Sequence, residues 1–291
     1  MATLSDIKRR IKSVKNTQQI TKAMKMVSAA KLRRAQEEIV AARPYAEKMV
    51  GLITSLASKA SPDSHPLLSI RPGNKVGVVL ITSDRGLCGG FNSTLIRTVE
   101  RLISEKSGSE VRLYLMGRRA SEHFKRRAKD VLKSGPLAKA RPDYPMAAGA
   151  AADLTGAYLA EELDEVYLVY SEFKSALSQI PVVQQLLPVS TGGGEETAGV
   201  AGEEGGGEYL YEPSEGAVLA SLLPKYVEVQ LFRALLESAA SEHGARMTAM
   251  DSASKNAAEM IGALTLQYNR VRQAAITKEL MEIIGGAEAL K

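Results

Sequence analysis

The residues best suited to chemistry lie in one glycine-rich stretch, Ser83–Asn92, which reads SDRGLCGGFN. This stretch follows a predicted buried strand and precedes a predicted helix, a position at which many α/β proteins bind ligands. A glycine-rich turn there could hold a phosphate with backbone N–H groups. The stretch matches neither GxxxxGK[ST] nor GxGxxG, however, and it contains no lysine. Because the carboxylate of Asp84 would also repel a phosphate, we interpret the stretch as a structural or partner-binding turn.

Cys88 is the only cysteine of the chain and would need an adjacent base to act as a nucleophile. Of the three histidines, His65 lies in a Ser/Pro loop, His123 on a basic helix and His243 on the last predicted helix. Nothing in the sequence pairs any of them with Cys88. Histidines so dispersed also argue against a metal site.

Residues 161–165 contain four carboxylates, and such a cluster could serve acid–base chemistry. The residues are Glu161, Glu162, Asp164 and Glu165. At the end of a predicted helix that leads into a strand, they are more typical of solvated surface charge. The sequence therefore predicts no catalytic, cofactor-binding or metal-binding residue.

The net charge of +5 hides an asymmetry along the chain. Residues 1–34 carry ten lysines and arginines against Asp6 alone, whereas residues 145–240 carry fifteen acids against three basic residues. Such polarity indicates that different partners meet different parts of the molecule. The basic end could bind nucleic acid or an anionic membrane surface, or it could be the solvated face of a helix.

Several classes of protein are disfavoured by simple patterns. No apolar run approaches the ~20 residues that a membrane-spanning helix needs. No apolar segment follows the first basic cluster, so the start of the chain does not resemble a secretory signal. A single cysteine excludes an internal disulfide and is typical of a reducing compartment.

The two ends of the chain are predicted to be long helices. All eleven prolines lie between Pro44 and Pro224, which leaves the first 43 and the last 67 residues free of helix-breaking proline. Residues 4–43 are mostly good helix formers, with Ser5 as a candidate N-cap. At ~1.5 Å per residue the first helix would reach ~60 Å and the last ~100 Å, too long for a compact domain.

Both terminal helices carry the seven-residue repeat of a left-handed coiled coil. In the last helix the repeat comprises Met247, Met250, Ser254, Ala257, Ile261, Leu264, Tyr268, Val271 and Ala275. In the first helix it comprises Leu4, Ile7, Ile11 and Val14, and then Ile20, Met24 and Val27 in a shifted register. A stripe this narrow needs one partner helix, so we predict that the two ends pair with each other. The methionines on these helices would fill the coiled coil or form a smooth sliding surface.

The middle of the chain predicts a small, open, mainly parallel α/β sheet of the Rossmann-like kind. Short, nearly continuous apolar runs predict buried parallel strands at 75–82, 111–117, 166–171 and 182–189. Helices are predicted between them at 91–106, 118–129 and 146–162. We therefore predict a first helix at 1–60, an α/β domain at 72–192, a mobile acidic glycine-rich loop at 192–208 and a last segment at 209–291. The long helix of that last segment would begin near Pro213 or Ser214.

Two terminal segments identify a resemblance to a known family. Residues 10–24 (RIKSVKNTQQITKAM) and 26–32 (MVSAAKL) resemble the N-terminal helix of the gamma subunit of bacterial-type, F-type rotary ATP synthases. Residues 268–287 (YNRVRQAAITKELMEIIGGA) are similar to its C-terminal signature, and SDRGLCGGFN and YLYEP match as well. The resemblance covers essentially the whole chain except the acidic loop 192–207.

The resemblance implies a rotor rather than an enzyme. The paired terminal helices would stand inside a hexamer of alternating alpha and beta subunits, and the α/β domain would bind the epsilon subunit and the c-ring of the membrane. One copy per complex would couple proton or sodium flow to ATP synthesis, without cofactor, nucleic acid or catalytic residue of its own. The chain would be peripheral, at the cytoplasmic face of the bacterial plasma membrane, and would touch the membrane only through the c-ring.

The resemblance also assigns contact residues. Those matching contacts with a beta catching loop are Arg272, Gln273, Thr277 and Glu279. Met24, flanked by Lys22 and Lys25, matches the position that faces an acidic segment on the lever of beta. The region that would meet the c-ring and epsilon contains Tyr209, Tyr211 and Glu212. Chloroplast members carry a regulatory cysteine pair, so a lone Cys88 predicts that such thiol control is absent.

Two other functions compete with the rotor interpretation. The first is a nucleic-acid-binding coiled coil that uses residues 8–34 as its basic region. The second is an α/β enzyme that uses the Ser83–Asn92 stretch. A hairpin within one chain would argue against the first, and a chain that binds no nucleotide would argue against the second.

Overall fold

The computed structural model describes residues 3–59, 65–127, 130–137, 141–189, 212 and 214–288. Its helices are α1 (Leu4–Lys59), α2 (Phe91–Glu105), α3 (Arg118–Lys125), α4 (Tyr144–Leu159) and α5 (Glu215–Glu288). Its strands are β1 (Lys75–Ile81), β2 (Glu110–Met116), β3 (Asp130–Gly135), β4 (Glu165–Phe173) and β5 (Gln179–Leu187). The chain divides into two compact units, one formed by Met1–Ser28 with Arg246–Lys291 and the other by Ala29–Ala245.

The first unit is an antiparallel coiled coil of the start of α1 and the last part of α5. Lys25, near the end of the first segment, contacts Asp251, near the start of the second, as antiparallel pairing requires. On α5 the residues of the predicted repeat are the shielded ones, from Met247 through Ala275, while most residues between them are exposed. The predicted seam of α5 is therefore confirmed.

The predicted register shift in α1 is wrong. The shielded residues continue the seven-residue repeat without a break, and between positions 18 and 28 they form a polar seam of Gln18, Thr21, Lys25 and Ser28. The apolar residues Ile20, Met24 and Val27, called the outer stripe below, lie outside this seam. Ile20 is 60% exposed and Val27 57%, whereas Met24 is partly shielded at the edge of the seam. Burying an Ile or Val side chain is worth about 1.5–3 kcal/mol, so something other than apolar burial sets this register.

The start of α1 also corrects a detail of the sequence prediction. Thr3, not Ser5, caps the helix, because its hydroxyl accepts a hydrogen bond from the backbone N–H of Asp6 at 3.2 Å. The carboxylate of Asp6 in turn accepts bonds from the hydroxyl and N–H of Thr3. This reciprocal pattern is a capping box, and its hydrogen bonds from Thr3 lower the pKa of Asp6.

The second unit contains a five-stranded sheet in the order β3-β2-β1-β4-β5. The pairs β1–β2, β1–β4 and β2–β3 are parallel, as predicted for a Rossmann-like domain. The fourth predicted strand is not parallel, because β5 follows β4 through a short turn and pairs with it antiparallel. Strand β3 was not predicted, since its sequence DVLKSG is polar and borders the edge of the sheet.

Helices cover both faces of this sheet, which accounts for the continuous apolar strands. On one face β1 and β2 pack against the buried sides of α2 and α3, around Leu95 and Phe124. On the other face they pack against α4 and the nearby parts of α1 and α5, around Leu154 and Leu231. Helix α5 begins at Glu215, where the Ser214 hydroxyl accepts a bond from the N–H of Ala217.

Within the part of the chain that the structure describes, no helix is long and apolar enough to cross a membrane.

Candidate partner-contact surfaces

The Ser83–Asn92 stretch is a turn whose polar groups bond to one another. The Asn92 side-chain oxygen accepts the N–H of Ser83 at 3.0 Å, and its amide donates to the Ser83 hydroxyl at 2.8 Å and to the Cys88 sulfur at 3.1 Å. Cys88 is buried, and its other hydrogen-bond partners are the Ser83 hydroxyl and the carbonyl of Arg85. No histidine is among them, so the turn offers the thiol no base.

Asp84 ties this turn to the neighbouring loops. Its carboxylate accepts the backbone N–H of Arg118 at 2.8 Å and that of Leu137 at 3.1 Å. These bonds join the ends of β1, β2 and β3 at the carboxyl edge of the sheet. A carboxylate used in this way is a structural group, in line with the interpretation of the stretch as a turn.

Replacing Asn92 with alanine is expected to lower the free energy of unfolding by about 1–3 kcal/mol, since it leaves the N–H of Ser83 without its acceptor. Urea denaturation of the full chain, followed by circular dichroism, measures the change. Arg97→Ala, on the exposed side of the same helix, is the control and should change little. A stability equal to wild type would contradict the structural role of Asn92.

Three of the four carboxylates at 161–165 are engaged in structural contacts. Asp164 accepts the N–H of Lys75 at 2.9 Å, and Glu165 pairs with Lys106 at 2.8 Å. Glu162 pairs with Arg112 at 3.6 Å. In the described ranges, no group of three or more His, Cys, Asp and Glu side chains could hold a metal ion.

On α5 the predicted beta-contact residues are all exposed. Because successive residues of a helix turn by about 100°, Gln273 and Thr277 lie opposite the seam, whereas Arg272 and Glu279 flank it. After Ala275 every residue through Gly285 is exposed. The exposed apolar side chains of this end are Ile276, Leu280, Met281, Ile283 and Ile284. Sequence reasoning placed them in the family signature without recognising that they have no partner on α1.

On α1 the three predicted contact residues differ in their surroundings. Lys22 is exposed, and Met24 is partly shielded. Lys25 instead donates to the Asp251 carboxylate across the coiled coil, at 2.5 Å. Hydrogen bonds from Lys25 and then from Lys255 hold the pKa of Asp251 below its ordinary value. Sequence reasoning missed Asp251, although the polar repeat through Gln18, Thr21, Lys25 and Ser28 was a visible signal of it.

Of the residues predicted to contact the c-ring and epsilon, only Glu212 is among the residues that the structure describes. Tyr209 and Tyr211 lie outside the described residues, as does the acidic segment 192–207. Glu212 is described and exposed.

Comparison with known proteins gives consistent matches over the whole chain. A family model described as ATP synthase matches residues 3–290. The ATP synthase gamma chain of Geobacter metallireducens is 57% identical over 293 residues, and that of Trichlorobacter lovleyi 55%, each covering 100% of both chains.

Solved structures are similar as well. The central stalk and c-ring structure of the Tetrahymena thermophila mitochondrial ATP synthase contains a chain with a TM-score of 0.61 and 30% identity, covering 81% of this chain and 99% of that one. A chain in the rotor of the Euglena gracilis mitochondrial ATP synthase has a TM-score of 0.67 over 94% of this chain and 98% of its own. At 19% identity the latter match supports the fold alone.

Proposed function

Because the chain belongs to the ATP synthase gamma chain family, we propose that it is the central-stalk rotor subunit of an F-type ATP synthase. Its partners are the alpha and beta subunits, the epsilon subunit and the c-ring. Its rotation couples ion flow through the c-ring to ATP synthesis or hydrolysis on the alpha and beta subunits. The observation that carries this function is a family match over essentially the whole chain, including both helices of the coiled coil.

We further propose that the chain contributes no catalytic group to the complex. Support comes from the Ser83–Asn92 turn, where Asn92 and Asp84 make structural hydrogen bonds and Cys88 is buried. The α/β domain then serves as the part that binds the other rotor subunits. Peripheral placement at the cytoplasmic face of a bacterial plasma membrane, in contact with it through the c-ring, belongs to the same proposal.

Coupling is assigned to the outward faces of the two helices. On α5 these are Arg272, Gln273, Thr277 and Glu279, which contact a beta catching loop. On α1 the residues assigned to coupling are Met24 and Lys22, with Lys25 beside them. Met24 is assigned to face an acidic segment of the beta lever. Exposed ion pairs contribute only about 0–1 kcal/mol each, which suits contacts that must break and re-form as the rotor turns.

No observation favours the nucleic-acid-binding alternative. Such a protein would form its coiled coil between two copies, whereas the seam of α1 is satisfied by α5 of the same chain. The basic side chains of α1 then face a protein surface rich in carboxylates.

Co-purification tests the assignment. An affinity tag inserted in the acidic segment 192–207, which lies apart from the coiled coil in sequence, should recover alpha and beta ATPase subunits from the native cell. The variant Ile7→Asp with Ile261→Asp is the control, because two carboxylates in the seam should prevent pairing and abolish the capture. Recovery of the tagged chain without alpha and beta subunits would rule out the rotor function.

A further inference from the structure

Between residues 18 and 28, α1 has its polar and apolar faces reversed. The polar seam of Gln18, Thr21, Lys25 and Ser28 faces α5, and the hydroxyl-bearing residues Thr21 and Ser28 are buried. In the outer stripe, Ile20 and Val27 are exposed, while Met24 lies partly shielded at the edge of the seam. Helices normally bury their apolar stripe against a partner. Some other interaction must therefore hold the polar seam against α5, and the exposed apolar residues are available to a partner.

The facing part of α5 buries the apolar Met250, but it also offers a carboxylate and small side chains to the polar seam of α1. Asp251 lies beside the seam there, and Ser254 and Ala257 are small seam residues that bring little apolar surface. The Lys25 ammonium reaches Asp251 at 2.5 Å, and Lys255 approaches the same carboxylate at 3.0 Å. The Lys25 side chain is 44% exposed, so its stem crosses the edge of the seam with the charge near solvent.

A competing register exists, and it is the one that the apolar pattern alone predicts. Turning this stretch of α1 by one residue, about 100°, would bring Ile20, Met24 and Val27 to the places of Thr21, Lys25 and Ser28. Apolar burial favours that arrangement. Two features oppose it: the unbroken repeat that continues from Ile7 through Val14, and the loss of the Lys25–Asp251 contact. A single polar contact in a coiled-coil seam is a known way to specify register at some cost in stability.

We propose that the Lys25–Asp251 ion pair fixes the register of α1 against α5 and thereby keeps the outer stripe outside the seam, as a docking surface. The partner is a protein surface with an apolar patch flanked by carboxylates. The apolar stripe requires the patch, and the ten basic residues in positions 1–34 against Asp6 alone require the carboxylates. Asp251 is then a positioning residue that acts through Lys25. The docking rests on the proposed function, since Met24 belongs to the beta contact assigned there.

Disulfide trapping in the full-length chain reads the register directly. In a Cys88→Ser background, Thr21→Cys with Ser254→Cys reports the observed register, and Ile20→Cys with Ser254→Cys reports the rotated one. The first pair should form the intramolecular disulfide preferentially. Adding Asp251→Asn should lower the ratio of the first to the second by about threefold to fivefold, as expected from losing one partly exposed ion pair.

Further variants show whether Asp251 acts through Lys25. Lys25→Gln should shift the ratio as Asp251→Asn does, and combining the two should add nothing further, whereas Asp251→Glu should preserve the wild-type ratio. Lys22→Gln, on an exposed lysine of the same helix, is the matched control and should leave the ratio unchanged. An unchanged ratio in both Asp251→Asn and Lys25→Gln would overturn the register role, whatever the activity of the complex.

ATP-driven ion pumping by the reconstituted complex tests the docking. Ile20→Ser with Val27→Ser should reduce ATP-driven pumping by more than about fivefold, the effect of truncating central apolar anchors. Met26→Ser removes an apolar side chain that is 62% exposed but lies off the stripe, and it should pump normally. If the complex forms and the double variant pumps like wild type, the docking is wrong while the rotor function stands. If no complex is recovered with the wild-type chain, both the rotor function and the docking are wrong. The disulfide ratios still test the register in that case.

Discussion

Replacing Gly117 with alanine is expected to lower the free energy of unfolding by about 3 kcal/mol or more, a large part of the stability of an ordinary domain. Gly117 joins β2 to α3 with a φ of 107°, a conformation that side chains rarely adopt. A Cβ atom there would lie 2.2 Å from the carbonyl oxygen of Thr82. That oxygen belongs to the backbone at the end of β1, so it cannot move aside without opening the sheet.

The change is measured by urea denaturation of the full chain, followed by circular dichroism. Gly149→Ala is the matched control, because Gly149 lies in α4 and an added Cβ meets nothing within 4 Å. There alanine should stabilise the helix by about 0.5–1 kcal/mol. Equal midpoints for the Gly117 variant and wild type would mean that the close approach to Thr82 does not constrain the fold.

Replacing Arg272 and Gln273 together with alanine is expected to lower the ATPase activity of the assembled complex by about tenfold. The two exposed side chains are assigned to a beta catching loop, and hydrogen bonds to charged groups contribute enough to change a rate by about that factor. Neither side chain belongs to the seam, so the variant should still form the coiled coil. The loss should therefore appear in turnover and not in assembly.

Lys278→Ala provides the matched control, since it removes a like charge from another exposed position of the same helix. Its partner Glu282 lies on α5 itself, at 3.5 Å, so the loss should change turnover little. Subunit composition is checked by gel electrophoresis before each assay. Full activity of the Arg272/Gln273 variant in an intact complex would remove the role assigned to these residues.

The sequence was most informative where one physical requirement dominates. The seam of α5 could be predicted because its seven-residue repeat keeps the same phase from Met247 to Ala275, although Ser254 within it is polar. The parallel strands could be predicted because burial on both faces makes them continuously apolar. The exposed positions of Arg272 and Gln273 follow from the same repeat, since they fall between seam residues.

Prediction failed where requirements compete. In α1 the apolar residues Ile20 and Val27 suggested a shifted seam. The seven-residue repeat instead continues unbroken and, together with the Lys25–Asp251 contact, places polar residues in the seam. Strand β3 has no apolar run because it lies at the edge of the sheet, and only pairing with β2 defines it. The direction of β5 depends on the short turn after β4, which strand composition does not encode.

The coiled coil joins the two ends of the chain, and this has a consequence for its synthesis. Lys25 and Asp251 are separated by 226 residues. At about 5–20 residues per second, a ribosome needs roughly 10–45 s to make the second after the first. During that interval Ile7, which is only 1% exposed in the folded chain, has left the ribosome without the helix that covers it. A ribosome that stops before Asp251 releases a chain that lacks most of the helix that pairs with the start of α1, so this coiled coil forms only after most of the chain has been made.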